Sequence, residues 1–140
     1  MALIAELNFI NFEIIKVLFD RGDDIVKDGE FEVNIQHITQ INNENENLFR
    51  TVFIINITGE NNSFSLQVQA MGSFEILGEI TEKVRDNYLN ISSPSIIYPY
   101  VRAYISNITL QSGMNPITIP PMNFAAKPDK GKRKFKKSSK

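Results

Sequence analysis

Alternation of apolar and polar residues along the first half of the chain predicts β-strands. From Phe31 to Ile41 one face carries mainly apolar side chains, interrupted by His37 and Thr39, and the other carries mainly polar residues such as Glu32. A strand with one buried face has this period of two. The segment 42–47, rich in Asn and Glu, then predicts a solvated loop. A run within residues 7–19 fits either period, and its content of Val, Ile and Phe favours an earlier strand.

Two further strands are predicted after the polar loop. Residues 49–58 are apolar on both faces, which is typical of a central strand, and residues 64–70 alternate again. The Gly-Glu-Asn-Asn sequence at 59–62 is turn chemistry and predicts an antiparallel hairpin between them. Residues 74–90 are interpreted as a connection containing Gly78, followed by a short helical turn. Four strands therefore precede the first long helix.

A long helix is predicted to begin at Ser93, which suits an N-cap, with Pro94 at the first helical position. Four apolar residues then recur at helical spacing and share one face. They are Ile97, Val101, Ile105 and Ile108. Gly113 supplies a left-handed stop. The polar side, which includes Arg102 and Thr109, is either solvated or an interface. Strands followed by a helix indicate an α+β domain with the helix on one sheet face.

Three prolines follow the helix stop. Pro116, Pro120 and Pro121 lack a backbone N–H and fix φ, so their segment cannot continue a helix or lie inside a central strand. We expect this segment to run extended along a surface.

Composition and charge divide the chain into two parts. Residues 127–140 contain eight Lys or Arg and one Asp, a net charge of +7, so residues 1–126 carry −8. We expect one domain over 1–126 and a disordered basic tail over 127–140. The tail is interpreted as solubilising, or as a salt-sensitive peripheral contact with an anionic membrane, and not as a specific nucleic-acid module. The absence of Cys fits a reducing cytosol, hence a cytoplasmic location. No apolar run is long enough for an ordinary transmembrane helix.

Enzymatic chemistry has no candidate residues in this sequence. The one histidine, His37, shares a predicted strand face with Val33, where a hydrogen-bonded or interface role is favoured over metal ligation. Asp23, Asp24 and Asp28 lack the residue order of a calcium loop. The sequence therefore predicts no catalytic residue, no cofactor and no metal site.

The long helix and the segment after it carry a family pattern. Its residues are Tyr98, Pro99, Tyr100 and Arg102 at the opening, Gly113 at the stop, and Pro121, Asn123 and Phe124 at the close. The pattern resembles the SecB family of protein-export chaperones, with weaker matches upstream from residue 7. The resemblance implies a four-stranded antiparallel sheet with one long helix packed on it, assembled as a dimer of dimers. It also implies an ATP-independent holdase that binds unfolded polypeptides for export.

Two sets of site residues are expected. The client-binding set consists of apolar residues in segments with little predicted regular structure: Phe74, Ile76, Leu77, Met114, Ile117, Ile119, Met122 and Phe124. The sequence leaves open whether each lies in the core or in a groove that repacks against apolar clients. The oligomer-interface set consists of Leu66, Val68, Ala70, Tyr100 and Tyr104.

The chain departs from the family pattern at two places. Pro128 and the charge run leave no room for most of the amphipathic C-terminal helix of the family, so a more open client groove is expected. The resemblance also implies docking onto the SecA motor through acids on the outer sheet face. Gln67 and Lys16 stand at two such positions, whereas Asp20 keeps an acid. The alternatives are a dedicated chaperone of one labile partner such as an antitoxin, or a non-chaperone structural or interaction protein of a phage or mobile element.

Overall fold

The computed structural model describes residues 5–23, 29–125 and 132–136, and an antiparallel β-sheet lies at its centre. The four long strands are β1 (Glu6–Asp20), β2 (Glu30–Ile41), β3 (Leu48–Gly59) and β4 (Ser65–Leu77). β1 pairs with β4, β4 with β3, and β3 with β2. The predicted strands, the central position of β3 and the hairpin between β3 and β4 are confirmed.

A fifth strand, β5 (Lys132–Lys136), pairs antiparallel with the outer edge of β2. The sequence predicts four strands and a disordered tail over 127–140, so this pairing differs from the prediction. Edge pairing uses backbone N–H and C=O groups, which a charged segment also has and which hydrophobic patterning does not report. The remainder of the predicted tail, 127–131 and 137–140, lies outside the described residues.

β4 extends further than the alternation of its first half suggests. The sequence assigns Phe74 to Leu77 to a connection. This prediction is wrong, because these residues belong to β4. The period-two burial continues, because Phe74 and Ile76 are buried, and Gly78 with φ +86° follows the strand end. β1 and β2 follow each other in the sequence but lie at opposite edges of the four-stranded part.

The core lies between the sheet and the helical layer. Gly72 of β4 sits directly beneath the helix, where an added Cβ would lie 2.0 Å from Ile97 Cδ1. The missing side chain therefore allows the helix to approach the sheet closely. Phe53 and Phe74 are fully buried on the same sheet face. The opposite face, called the open face below, has no helix packed on it in the described part of the chain.

The helical layer is continuous from Glu82 to Gln111, without the separate start predicted at Ser93. It consists of α1 (Glu82–Asn87), a π turn (Tyr88–Ser92) and α2 (Ser93–Gln111). The N-cap is Thr81, whose Oγ1 accepts a hydrogen bond from Val84 N at 3.2 Å. Helical residues precede Ser93, so the prediction of Ser93 as an N-cap is wrong. The predicted short helical turn before the long helix is present, with Leu89 buried.

Pro94 accounts for the unusual turn before α2. Proline has no N–H to donate to Leu89 O, five residues upstream, and this carbonyl accepts from Ser93 Oγ (3.1 Å) and Thr39 Oγ1 (3.3 Å) instead. Ser93 is fully buried, and its Oγ lies 2.8 Å from Thr51 Oγ1 on β3. Because the Ser93 proton is directed to Leu89 O, Thr51 is the donor of that pair. A buried polar junction thus joins the helical layer to the sheet.

The C-terminal end of α2 has the predicted glycine stop. Gly113 has φ +93°, and its N–H donates to Leu110 O at 3.1 Å, while Met114 N donates to Thr109 O at 3.3 Å. This pair of bonds is the Schellman motif. The predicted inner face is confirmed, because Ile97, Val101 and Ile105 are fully buried and Ile108 packs partly against the core. None of the helices in the described ranges is both long and apolar enough to span a membrane.

Candidate polypeptide-binding surface

An extended segment, residues 114–124, lies along α2 and is called the strap. Side chains of the helix bind its carbonyl groups through three hydrogen bonds: Tyr98 OH to Pro120 O (2.5 Å), Arg102 Nε to Ile119 O (2.8 Å) and Ser106 Oγ to Ile117 O (2.8 Å). The donors are spaced by four residues and therefore share one side of the helix. Because carbonyls are the groups bound, the strap tolerates prolines, which have no N–H to satisfy.

Thr109 adds a contact in which a strap N–H donates to a side chain of the helix. Its buried Oγ1 accepts from Ile117 N at 2.9 Å and donates to Ile105 O at 2.7 Å. The sequence left this side of α2 as either solvated or an interface. Arg102, Ser106 and Thr109 are not simply solvated, since they hold the strap.

The predicted client-binding residues separate into a buried and an accessible group. The buried group, each at most 3% exposed, is Phe74, Ile76, Met114, Ile117 and Ile119. The accessible group is Leu77, which is exposed, and Met122 and Phe124, which are half-buried. The buried group therefore belongs to the core and does not line a groove. For the accessible group, contact with a client stays a prediction.

An aromatic cluster receives the end of the strap. The ring of Phe124 lies with its centroid 5.2 Å from His37, 5.6 Å from Tyr98 and 5.9 Å from Phe53, in edge-to-face geometry. Asn123 Oδ1 accepts from Ala125 N at 3.0 Å and turns the chain after it. His37 is half-buried here, and the described residues contain no cluster of side chains that could hold a metal ion.

Acidification is expected to destabilise the fold through His37. Burial disfavours the imidazolium and lowers the pKa of His37 below its ordinary value of 6.5. Below pH 6.5 the His37 imidazole therefore binds more protons in the unfolded chain than in the folded chain. The contribution of neutral His37 to the free energy of unfolding is complete above the unfolded pKa and is lost as the pH falls toward the folded pKa. We expect wild type to lose more unfolding free energy between pH 7.5 and pH 5 than His37→Phe, measured by urea denaturation. Equal losses would exclude this role.

A cleft with a mixed polar and apolar lining, called the end cleft, opens where β2 and β4 end and β3 begins. Its volume is about 380 Å³, and its apolar lining includes Ile10, Ile41, Leu48 and Phe49. Ile10 and Ile41 are each 51% exposed. Ile10 lies at a register shift in the β1–β4 pairing, where a bulge changes the direction of the strand. Residue patterning does not predict this cleft, because bulge positions break the alternation by which strand faces are assigned.

The outer edge of β1 is a second apolar surface. In the described part of the chain β1 pairs with β4 alone, so its other side presents unpaired backbone groups. Ile15 and Leu18 project from this strand with 51% and 55% exposure. On the helix-facing side, the Tyr100 ring stacks on Phe12 with centroids 5.2 Å apart. This edge is therefore suited to contact with another chain.

The predicted interface residues do not form one surface. Leu66, Val68 and Ala70 lie on the helix-facing side of β4 and are buried within the single chain. Tyr100 is exposed and Tyr104 is half-buried. An interface through the β4 residues would require the helical layer to move, whereas the tyrosines are available as they stand.

The positions compared with the motor-docking acids lie on the open face. Gln67 pairs with Leu18 on one side and Asn56 on the other, and Lys16 pairs with Gln69. Asp20 Oδ1 accepts from Gly22 N at 3.0 Å. The residues paired directly with Gln67 are therefore uncharged, and Leu18 adds exposed apolar surface.

Comparisons with known proteins agree with the architecture described above. Residues 15–129 match the family model described as SecB, preprotein translocase subunit SecB. The match covers most of the chain, and the protein belongs to the SecB family. A solved structure with the same fold is the Mycobacterium tuberculosis Rv1957 SecB-like chaperone in complex with a ChAD peptide from the Rv1956 HigA1 antitoxin. Its TM-score is 0.67 at 13% identity, over 84% of this chain and 88% of that one.

Two relatives show the range of sequence similarity. An uncharacterized protein of Methanocaldococcus jannaschii is 38% identical over 127 residues, which is 85% of this chain and 80% of that protein. Protein-export protein SecB 2 of Francisella tularensis subsp. novicida is 31% identical over 98 residues, or 70% of this chain and 65% of that protein. The chain thus spans just under two thirds of this export protein.

Proposed function

We propose that this protein is an ATP-independent chaperone that holds unfolded polypeptides by binding, without catalysis or a cofactor. The observation that carries the proposal is the exposure of large apolar side chains. Among the described residues, eight are 41–55% exposed: Ile10, Ile15, Leu18, Ile38, Ile41, Leu77, Tyr100 and Leu110. Exposed apolar side chains that lie together, as Ile10 and Ile41 do at the end cleft, are typical of sites that contact other chains. Membership of the SecB family supports the same conclusion.

The end cleft is the proposed site for apolar client side chains. Ile10 and Ile41 stand on its walls, and Arg50 Nε donates to Gln40 Oε1 at 2.6 Å beside it, which gives the cleft a polar rim. An unfolded segment would bury aliphatic or aromatic residues in the cleft and leave its polar residues at the rim. Affinity would be spread over several weak contacts, because ordering the client offsets part of each.

Assembly through the β1 edge is proposed as well. Two copies joined at antiparallel β1 strands would satisfy the unpaired backbone groups and cover Ile15 and Leu18. Tyr100 and Tyr104 would then lie near a contact between such pairs. A homodimer or homotetramer is therefore expected.

A test of the cleft uses two pairs of substitutions matched in exposure. Ile10→Gln/Ile41→Gln removes apolar walls of the cleft, whereas Ile38→Gln/Leu110→Gln alters side chains of 47% and 55% exposure that do not line it. The assay is suppression of aggregation of a diluted unfolded protein without ATP. We expect the cleft variant to need about tenfold more protein, the effect of losing about 1.4 kcal/mol of binding, and the control to match wild type. A wild-type chain that suppresses no aggregation would refute the proposal.

The second candidate function is that of a chaperone dedicated to one client polypeptide. The uncharged side chain of Gln67 favours it, since a motor-docking acid is expected at that position. The M. tuberculosis SecB-like chaperone, with its bound antitoxin peptide, provides an analogy for a single-partner role. Purification from the native host distinguishes the two: one dominant polypeptide partner supports a dedicated role, and a mixed population of precursors supports export.

A further inference from the structure

The outer edge of β2 is only partly covered by β5. The β5 backbone pairs with residues 30–34, while β2 continues to Ile41. In the described part of the chain no strand pairs with the outer side of residues 35–41. A five-residue strand on a twelve-residue edge leaves most of that edge available for further backbone pairing.

The covered part of this edge is acidic, and the strand on it is basic. The register places Lys136 opposite Glu30 and Lys134 opposite Glu32, so opposite charges alternate along the pairing. Directly opposed positions of unlike charge stabilise a strand pair. The sequence of β5 is thus basic at register positions where this edge is acidic.

An open cavity beside the same edge adds to the negative charge. It measures about 390 Å³ and is lined by Glu30, Glu32 and Glu60, together with Asn61 and Asn62 of the β3–β4 turn. None of the described lining residues is Lys or Arg. The edge and the cavity together form a surface complementary to cations carried on an extended chain.

We propose that the outer edge of β2 is a docking site for basic, extended polypeptide segments, and that β5 is its replaceable occupant. The proposal rests on the proposed polypeptide-binding function and names a class of client segment. A client strand would pair with β2 by strand addition, in which backbone bonds supply affinity and opposed side chains supply selectivity. Because β5 belongs to the same chain, its effective concentration is in the millimolar range, and it lowers the apparent affinity for clients until it is displaced.

The test measures binding of a labelled peptide with the sequence of residues 131–137, GKRKFKK, by fluorescence anisotropy. Lys134→Pro/Phe135→Pro removes β5 pairing, since one of two adjacent residues in a strand directs its N–H at the partner. Lys134→Ala/Phe135→Ala is the matched control, which loses the same side chains but keeps both backbone donors. We expect the proline variant to bind the peptide about tenfold more tightly than wild type, and the alanine variant to change much less.

Charge dependence is tested in the proline variant. Adding Glu30→Gln/Glu32→Gln is expected to weaken peptide binding about tenfold, from two lost charge pairs. Equal affinity of wild type and the proline variant, absence of peptide binding to either, or insensitivity to the glutamine substitutions would overturn the proposal. So would a loss of subunits on proline substitution, measured by native mass spectrometry, because β5 would then act between chains.

The two proposals fail in different ways. Peptide anisotropy does not depend on suppression of aggregation, so an inactive wild type in the aggregation assay would refute the chaperone function without altering the anisotropy result. Conversely, an overturned β2-edge site leaves the end cleft and its test unchanged.

Discussion

Replacing Gly72 with valine is expected to lower the free energy of unfolding by about 3 kcal/mol, the upper part of the range for overpacking a core. An added Cβ would lie 2.0 Å from Ile97 Cδ1 and 2.4 Å from Ile97 Cγ1. Ile97 is fully buried, so its side chain cannot turn aside into solvent. The helix must then rise from the sheet, and contacts along the whole interface weaken. Urea denaturation followed by circular dichroism measures the loss.

Ser73→Val is the matched control for this substitution. Ser73 is the next residue of β4, faces the open side and is half-buried, so valine there is expected to change stability by less than about 0.5 kcal/mol. The contact with Ile97 can be isolated by Gly72→Ala combined with Ile97→Ala. If the close approach is the cause, the double variant loses about 1 kcal/mol less than the sum of the single variants. Strict additivity would show that Gly72 is needed for another reason.

Replacing Thr109 with valine is expected to destabilise the protein by about 2 kcal/mol, the usual cost of leaving a buried polar group unsatisfied. Valine keeps the shape of threonine but removes the Oγ1 that accepts from Ile117 N at 2.9 Å. The Ile117 amide lies next to a fully buried side chain and loses its partner. Denaturation gives the stability change, and hydrogen exchange of the Ile117 amide gives its location.

The Thr109→Ser variant distinguishes the contribution of the hydroxyl group from that of the methyl group. Serine keeps the oxygen and loses one methyl group, so a loss of about 0.8 kcal/mol is expected with the Ile117 amide still protected. If both variants left that amide equally protected, the strap would be held by the burial of Ile117 and Ile119 and not by Thr109.

Regular elements could be predicted from the sequence because their burial is periodic. The strands around Phe31 and Leu66 alternate in burial, and Ile97 and Val101 lie one turn apart on one helix face. The glycine stop could be predicted for a similar reason, since a left-handed residue is needed there. These signals depend on local geometry, which a pattern of single residues reports.

Features that depend on where segments meet could not be predicted in this way. Ile117 and Ile119 are buried because the strap lies against α2, and an apolar residue in an extended segment looks the same in a core and in a groove. Thr109 lies four residues after Ile105 at a core position, and its polar character rather than its spacing assigned it to the surface. β5 pairs through its backbone, so its charged side chains gave no sign of a strand.

Within the candidate site, the sequence located the strap but not the cleft. Phe124 and Tyr98 were recognised by the family pattern, and the structure brings them together with His37. Ile10 and Ile41 come from strands at opposite edges of the four-stranded part, and a bulge in β1 exposes Ile10. Side chains that converge from distant strands leave no spacing signature in the sequence.

The central claim is that this protein recognises unfolded polypeptide, and it is tested most directly by presenting one protein in two states. The ligand is a fluorescently labelled disulfide-bonded protein, either native or reduced and carboxymethylated so that it stays unfolded, and binding to the full chain is measured by sedimentation without ATP. We expect a complex with the unfolded form and an affinity for the native form weaker by about a hundredfold, or about 2.8 kcal/mol. Equal binding of the two forms, or binding of neither, would contradict the account.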